Sequence, residues 1–376
     1  MSPEESQLPK KPQPLKTNQM LQMLVPILVV TMLLSLVFIS LNGDDDEDTE
    51  KLKYNSTEAY TPEQKSGEMR FNVTIDAAQP GDETRLWLPY PMSNDYQTVE
   101  NVTVVGNYQH SGIYRDSASG NVMLYAQWSN PAQTPHLEYS FDITRTEIYR
   151  KDFTITDAPL PPEMDQYLRA SSLGPISGEV KEIALKATAG KNSILTKAIG
   201  IYDYIVENAE RDPTITGCGD GDVCELLDND ISGKCTDIHS VFVAMARSVG
   251  IPAREVFGTR IAKEGDITGA YHCRAEFYLP DYGWVPVDPS DVRKAMLVEG
   301  LTLEDQRTED LRDYYFGAQT ETYIDFYSGR DITLNPQQEG EPLNYLMYPY
   351  AEVDGVALDY LSHEELQYQV SFTEQG

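Results

Sequence analysis

Positively charged side chains are scarce in this sequence. Its 376 residues include 29 lysines and arginines against 60 aspartates and glutamates, which gives a formal net charge of −31. A surface of this sign repels nucleic acid and anionic lipid headgroups, so nucleic acid is not expected as a partner. The same charge favours solubility in a salty or extracellular medium.

Histidine and cysteine are also rare, with five and four residues respectively. No CxxC pair is present, and a zinc site needs three or four ligands at suitable spacing, so we expect no metal and no other cofactor. The few thiols and imidazoles therefore stand out as candidates for chemistry.

One of the four cysteines opens a predicted helix. The segment GKCTDIHSVFVAMARSVGIPAR places Cys235 just after Gly233, and the helix is expected to stop at Gly250 and Pro252. A cysteine in the first helical turn lies where free backbone N–H groups and the helix dipole favour an anion, which lowers its pKa toward the nucleophilic thiolate. A lone helical cysteine is more often a small buried hydrophobe, so the interpretation as a nucleophile depends on a partner base.

A base is available downstream. His272 lies in AYHCRAEFYLPDYGWVPVDPSD, which predicts two antiparallel strands joined at residues 280–283. The second strand ends at Asp288, whose carboxylate could hold the imidazole with one nitrogen facing the sulfur of Cys235. Three residue types in this order predict nucleophilic catalysis by a cysteine.

These motifs resemble a known family. Cys235 on a helix, then GIPAR, a histidine strand, GW and DP, is similar to the transglutaminase-like superfamily of papain-like cysteine enzymes. The resemblance places the family's catalytic Cys, His and Asp on Cys235, His272 and Asp288, and covers roughly residues 68–372. It implies an α+β fold, with a papain-like transglutaminase core preceded by an all-β sandwich-like domain and an N-terminal transmembrane helix.

His239 offers a rival base, because it lies four residues after Cys235 on the same helical face. The two residues could also be metal ligands, but further ligands at zinc spacing are missing. We expect His239 to line or support the cleft.

The other cysteines invite a pairing. Cys218 and Cys224 flank GDGDV closely enough for a short-loop disulfide, and we predict this pairing in an exported protein. Cys273 follows the presumed base, and alternation along a strand turns its side chain away from the face that carries the base.

Residues 20–41 contain no charged side chain. As a helix, these residues span roughly 33 Å, enough to cross the hydrocarbon core of a membrane. Lys10, Lys11 and Lys16 precede the stretch and acidic residues 44–48 follow it, which predicts a cytoplasmic N-terminus and extracellular C-terminal domains in the cell membrane. A cleaved signal peptide is the alternative, although the length of the stretch and the missing small-x-small site favour an uncleaved anchor.

Changes of pattern along the chain predict its domains. Short alternating runs such as MRFNVTID and TRLWLPY are typical of a β sandwich, and helical periodicity follows the linker. The predicted segments are a cytoplasmic tail (1–19), a transmembrane helix (20–41), an acidic linker (42–66), a β-sandwich-like domain (67–150), a linker and helix (151–192), a transglutaminase-like catalytic core (193–295) and a tyrosine-rich C-terminal extension packing on the core and closing one wall of the cleft (296–376).

The residues leave three functions open. Cys235 is expected to attack an amide of a protein or peptide substrate, and water or an amine resolves the thioester. Water makes the protein a peptidase or amidase, which we favour, and an amine makes it a protein-glutamine transglutaminase. The third alternative is a non-catalytic surface binding module on the same fold. The backbone N–H of Cys235 is one candidate oxyanion donor, and Tyr202 and Tyr204 are weak candidates for the second.

Overall fold

The computed structural model describes residues 52–57, 59–116 and 119–375. The predicted transmembrane helix at 20–41 therefore lies outside the described residues. Within the ranges that are described, no helix is both long enough and apolar enough to cross a membrane.

The strands are β1 (Gln64–Ile75), β2 (Glu83–Pro89), β3 (Gln97–Gly106), β4 (His110–Arg115), β5 (Val122–Ser129), β6 (His136–Thr146), β7 (Ile148–Tyr149), β8 (Glu210–Arg211), β9 (Ser232–Gly233), β10 (Ala253–Arg260), β11 (Gly265–Asp266), β12 (Tyr271–Leu279), β13 (Gly283–Val287), β14 (Ala318–Gln319), β15 (Tyr323–Ser328), β16 (Tyr350–Val353), β17 (Val356–Ala357) and β18 (Leu366–Glu374). The helices are α1 (Glu179–Ala187), α2 (Ile194–Asn208), α3 (Val223–Asp228), α4 (Cys235–Ser248), α5 (Pro289–Glu299) and α6 (Gln306–Tyr314), and a 3-10 helix spans Pro162–Leu168.

Two five-stranded sheets share one aromatic core. Their strand orders are β11-β18-β1-β6-β3 and β17-β16-β2-β5-β4. Along β1, Met69, Phe71 and Val73 are buried because successive side chains of a strand point to opposite faces. Trp87 of the second sheet joins the same core. The alternating runs of the sequence therefore do form paired β sheets.

The C-terminal residues complete these two sheets. In β18, Phe372 lies opposite Met69 of β1, and in β16, Tyr350 lies opposite Trp87 of β2. Residues 296–376 were expected to form one extension on the catalytic core. In the structure, β15 joins the four-stranded sheet of that core, whereas β16 and β18 join the two five-stranded sheets. The physical reason is that β1 and β2 would otherwise expose unpaired backbone groups along one edge.

The part of the fold that carries the candidate site has a four-stranded sheet of order β13-β12-β10-β15. Helix α4 packs on β12 and β10, and α1 and α2 pack against α4. Every residue of α4 from Cys235 to Ala246 is buried as a result. The predicted α+β fold is confirmed, and its central helix is the one that the cysteine opens.

Candidate active site

Asp237 fixes the chain just before the candidate nucleophile. Its two carboxylate oxygens accept the backbone N–H groups of Lys234 and Gly221, each at 2.8 Å. Gly233 passes so close to this carboxylate that a Cβ at that position would clash with it. The residues GKCTD therefore form a tight helix start, which presents Cys235 at the first position of α4.

The hairpin of β12 and β13 positions the base and the acid. Ala275 lies opposite Val287, so the end of β13 lies beside the middle of β12, three residues after His272. Asp288 follows β13 and caps α5, since its Oδ1 accepts the backbone N–H of Asp291 at 2.9 Å. Pro289 occupies the first helical position, where its missing N–H costs no hydrogen bond. The DP dipeptide thus holds a carboxylate at a rigid strand-to-helix corner.

The structure brings together the three residues that the sequence selected. His272 Nε2 lies 2.7 Å from Asp288 Oδ2, and the imidazole is near enough to Cys235 for its charge to lower the pKa of the thiol. Because Nε2 is engaged by the carboxylate, Nδ1 is the nitrogen left to exchange a proton with the sulfur. Cys235 and His272 are 1% and 4% exposed, and Asp288 is fully buried. The order sulfur, imidazole, carboxylate is that of a catalytic triad.

The surroundings of Cys235 favour its thiolate. The neighbouring thiols of Cys218 and Cys273, together with the charge of His272, hold the pKa of Cys235 well below its ordinary value. They outweigh burial, which acts in the opposite direction. The N-terminus of α4 also stabilises negative charge at this position.

Opposing effects set the pKa of His272. Burial and the nearby guanidinium of Arg260 lower it, but the carboxylates of Asp288 and Asp291 and the sulfur of Cys235 prevail and raise it to about 9. Burial would raise the pKa of Asp288, yet the two neighbouring histidines hold it well below its usual range. At neutral pH the site therefore holds a thiolate, an imidazolium and a carboxylate in line.

His239 lies on the opposite side of the same carboxylate. Its Nε2 is 3.2 Å from Asp288 Oδ1, and its Nδ1 is 3.5 Å from the sulfur of Cys273. Neither ring nitrogen is directed at Cys235, so this geometry does not support His239 as the rival base. The side chain is fully buried and supports the site from behind the acid.

The predicted disulfide between Cys218 and Cys224 is wrong, because all four cysteines are free. Asp222 caps α3 between the two thiols, and Cys224 in the first turn of that helix is exposed. Cys218 instead points inward, where its thiol donates to the carbonyl of Tyr271 at 3.4 Å and contacts Cys235.

The C-terminal tyrosines cover the loop that carries Cys218. Tyr345 donates its hydroxyl to the carbonyl of Gly219 at 2.9 Å, and the hydroxyl of Tyr348 hydrogen-bonds with Cys218. No spacing signal in the sequence linked these residues to Cys218. Both tyrosines belong to the same buried cluster as Cys218 and Cys235.

The weak oxyanion candidates are not supported by their contacts. Tyr202 is buried and donates its hydroxyl to the carbonyl of Arg312 at 3.0 Å, away from the sulfur. Tyr204, two residues on along α2, packs at the edge of the helical core. The backbone N–H of Cys235 stays a candidate, because the first turn of a helix has no carbonyl partners for its N–H groups.

Among the described residues, His272, Asp288 and Asp291 each present a possible metal-ligand atom within 4.8 Å of the others. Asp291 is paired with Arg260, however, and His272 Nε2 is engaged by Asp288. These contacts are those of a hydrogen-bonded and charge-balanced triad rather than of an open ligand set.

Comparison with known proteins agrees with this geometry. Residues 181–289, which include all three triad positions, match the Transglutaminase-like superfamily. The fold is similar to that of a candidate cysteine protease from Cytophaga hutchinsonii, with a TM-score of 0.53 over 84% of this chain and 99% of that chain, at 13% identity. Residues 181–289 therefore form a transglutaminase-like core.

Two other proteins are similar to the chain in sequence. It is 36% identical over 328 residues to an uncharacterized protein of Haemophilus influenzae, covering 79% of this chain and 89% of that protein, and the two share one family. It is 29% identical over 126 residues to the uncharacterized protein YebA of Bacillus subtilis, covering 30% of this chain and 17% of YebA.

Proposed function

We propose that this protein is an exported, membrane-anchored cysteine enzyme that transfers the acyl group of an amide through a thioester on Cys235. The observation that carries the proposal is the buried array of Cys235, His272 and Asp288, in which Asp288 Oδ2 holds the imidazole at 2.7 Å and the pKa of the thiol is lowered. A structural cysteine needs no such partner, and a lowered thiol pKa beside an imidazolium is typical of a nucleophile.

The triad supplies both halves of the reaction. The thiolate of Cys235 attacks the amide carbonyl carbon, and His272 then gives its proton to the leaving nitrogen as the C–N bond breaks. Neutral His272 next takes a proton from water as the water oxygen attacks the thioester; the C–S bond breaks, the acid is released, and the thiolate and imidazolium are restored. Asp288 keeps the imidazole in the same orientation through both steps.

Hydrolysis is the favoured outcome, because water needs no binding site of its own. Transfer to an amine uses the same three residues and is the second candidate activity. The two are separated by supplying a primary amine, such as cadaverine, with a peptide donor. A product mass that carries the amine would identify a transglutaminase, whereas the free acid alone would identify a peptidase or amidase.

The first test is the alkylation of Cys235 by iodoacetamide at pH 6, followed by peptide mass on the purified full chain. At this pH an ordinary thiol with a pKa of about 8.5 is only about 0.3% thiolate. Removing the imidazolium in His272→Ala should therefore slow the labelling of Cys235 by roughly 100-fold. Exposed Cys224 in the same digest controls for the reagent.

Equal labelling of Cys235 in the wild type and His272→Ala would overturn the enzyme proposal. That result would favour the non-catalytic binding module on the same fold. Near-complete burial of Cys235 slows both proteins alike, so the ratio of their rates is the informative quantity.

We also propose that residues 20–41 anchor the chain in the cell membrane, with the N-terminus in the cytoplasm. The support is the uncharged stretch, the lysines before it and the acidic residues after it. Extraction of membranes with alkaline carbonate should leave the protein in the pellet. Release into the supernatant would instead indicate a cleaved segment or peripheral attachment.

A further inference from the structure

The side of Asp288 that faces away from His272 carries a second imidazole. His239 Nε2 lies 3.2 Å from Asp288 Oδ1, although the N–H does not point straight at that oxygen. Within the described residues this nitrogen has no other acceptor. Among the residues that the structure describes, the backbone N–H of Asp291 is the other donor near Oδ1, at 2.9 Å. The carboxylate thus has an imidazole beside each of its oxygens.

The contacts at the two nitrogens of His239 favour one tautomer. Nε2 lies 3.2 Å from Asp288 Oδ1, a carboxylate oxygen that can only accept, so this nitrogen carries the ring proton. Cys273 Sγ lies 3.5 Å from Nδ1, and burial keeps this thiol protonated by raising its pKa, so the thiol can donate to Nδ1 and favours the same tautomer. An Nε2–H is the form that can donate to Asp288 Oδ1.

The two nitrogens also separate His239 from the base. Nδ1 faces Cys273 and Nε2 faces Asp288, so neither can take a proton from Cys235. The side chain is fully buried in the middle of α4, where an apolar residue would be the ordinary choice. A polar ring at this position needs a partner, and the catalytic carboxylate is that partner.

We propose that His239 is a positioning residue for the reaction: with its ring proton on Nε2, it holds Oδ1 of Asp288 so that Oδ2 stays aligned with His272. This inference rests on the proposed function, because it assigns a role within the same triad. Losing the contact would let the carboxylate turn and would leave one of its oxygens under-bonded in a buried site. The imidazolium at Cys235 would then be less well stabilised.

The charged groups around Asp288 are His272, His239, Asp291 and Arg260. Only His239 among them can be replaced without removing the base or the Arg260–Asp291 ion pair. Gln and Met are the matched replacements, since both are unbranched and of similar length, and only Gln has an N–H that can reach the position of Nε2.

The test is the pH profile of Cys235 alkylation in the full chain for the wild type, His239→Gln and His239→Met. We expect Met to move the acidic limb of the profile up by about one pH unit, which slows labelling at pH 6 by roughly tenfold. Gln should restore the rate to within about threefold of the wild type. Denaturant unfolding of each variant separates this effect from a change in stability.

A wild-type profile in His239→Met, or equal profiles for Gln and Met, would overturn the inference. If the Met variant does not fold, His239→Leu is the apolar replacement, and its profile is compared with that of His239→Gln in the same way. Equal profiles for His239→Leu and His239→Gln would overturn the inference.

Failure of the proposed function gives a different pattern. In that case His272→Ala would label as fast as the wild type, and the variants at His239 would be uninformative about catalysis. If His272→Ala is slow and His239→Met is not, the triad stands and only the positioning role is lost.

Discussion

Two regions meet at the carboxylate of Asp288, and each contains one cysteine and one histidine. On one side, Cys235 at the start of α4 lies near His272 of β12. On the other, one turn deeper, Cys273 and His239 contact each other at 3.5 Å. The pKa of the first thiol is lowered and that of the second is raised. The same residue types therefore acquire opposite chemistry from their positions.

The difference has a physical cause. Cys235 lies at the N-terminus of a helix, beside an imidazolium whose pKa is raised to about 9. Cys273 lies within β12, where it faces the flank of α4 and contacts the hydroxyl of Thr236 at 3.7 Å. Burial without a stabilising charge favours the neutral thiol there. Two cysteines in contact with one network can thus divide into a nucleophile and a hydrogen-bond donor.

The largest expected effect comes from exchanging each sulfur for oxygen. Cys235→Ser should abolish acylation of the protein by p-nitrophenyl acetate, by roughly 1,000-fold or more, because the hydroxyl is not ionised by this site. Cys273→Ser should change the rate by no more than about threefold, since it keeps a donor to His239. Intact-protein mass measures the acyl adduct in both cases.

The reverse result would contradict the division of roles between Cys235 and Cys273. An acyl adduct that persists in Cys235→Ser and disappears in Cys273→Ser would make the deeper cysteine the nucleophile. Peptide mapping of the adduct on the wild type identifies the acylated sulfur independently.

A smaller effect is expected from Asp288→Asn, because this carboxylate lies beside both His272 and His239. Asn keeps the size of the side chain and an acceptor for the N–H of Asp291, so α5 should stay capped. Without the carboxylate the pKa of His272 falls, and the acidic limb of the Cys235 alkylation profile should move to higher pH. Labelling at pH 6 should slow by about tenfold for each pH unit of that movement. An unchanged limb would show that Asp288 does not stabilise the imidazolium.

The smallest effect is on stability. Protonated His272, with a pKa raised from 6.5 to about 9, stabilises the fold below pH 6.5, and this contribution is lost as the pH rises toward 9. The lowered pKa of Cys235 has the opposite sign, since the unfolded thiol binds a proton that the folded one does not. Between pH 6.5 and 9 the two slopes should cancel in the wild type.

Removing the sulfur of Cys235 should make the contribution of His272 to the pH dependence of stability measurable. In Cys235→Ala, the free energy of unfolding should fall between pH 6.5 and 9 by up to about 1.4 kcal/mol per pH unit. Urea unfolding at several pH values measures this slope, and Cys235→Ala combined with His272→Gln provides the reference without it. A flat curve in Cys235→Ala relative to that reference would mean that His272 is not protonated in the fold.

Much of the fold and of the candidate site could be predicted from local patterns in the sequence. The helix opened by Cys235 and the hairpin ending at Asp288 are both present, because a glycine, a helix cap and a proline act within a few residues of themselves. The family assignment also followed, since its motif lies within one stretch of the chain.

Three features of the structure could not be predicted from the sequence, because each depends on contacts between residues that are distant along the chain. Nothing local indicates that Cys218 turns toward Cys235 rather than pairing with Cys224. The alternation in β18 is visible in the sequence, but its partner, β1, lies about three hundred residues earlier. His239 was expected to support the cleft, yet its specific contact with Asp288 requires the docking of α4 on the sheet.

The sequence by itself determined the residue types, their order and the local elements that carry them: a cysteine at a helix start, a histidine on a strand and an aspartate at a strand-to-helix corner. Only the tertiary structure decided which thiol is the anion, which histidine faces the sulfur and which residues cover the site. The reason is that local backbone preferences act over a few residues. Burial, charge pairing and hydrogen-bond direction depend instead on which distant elements pack together.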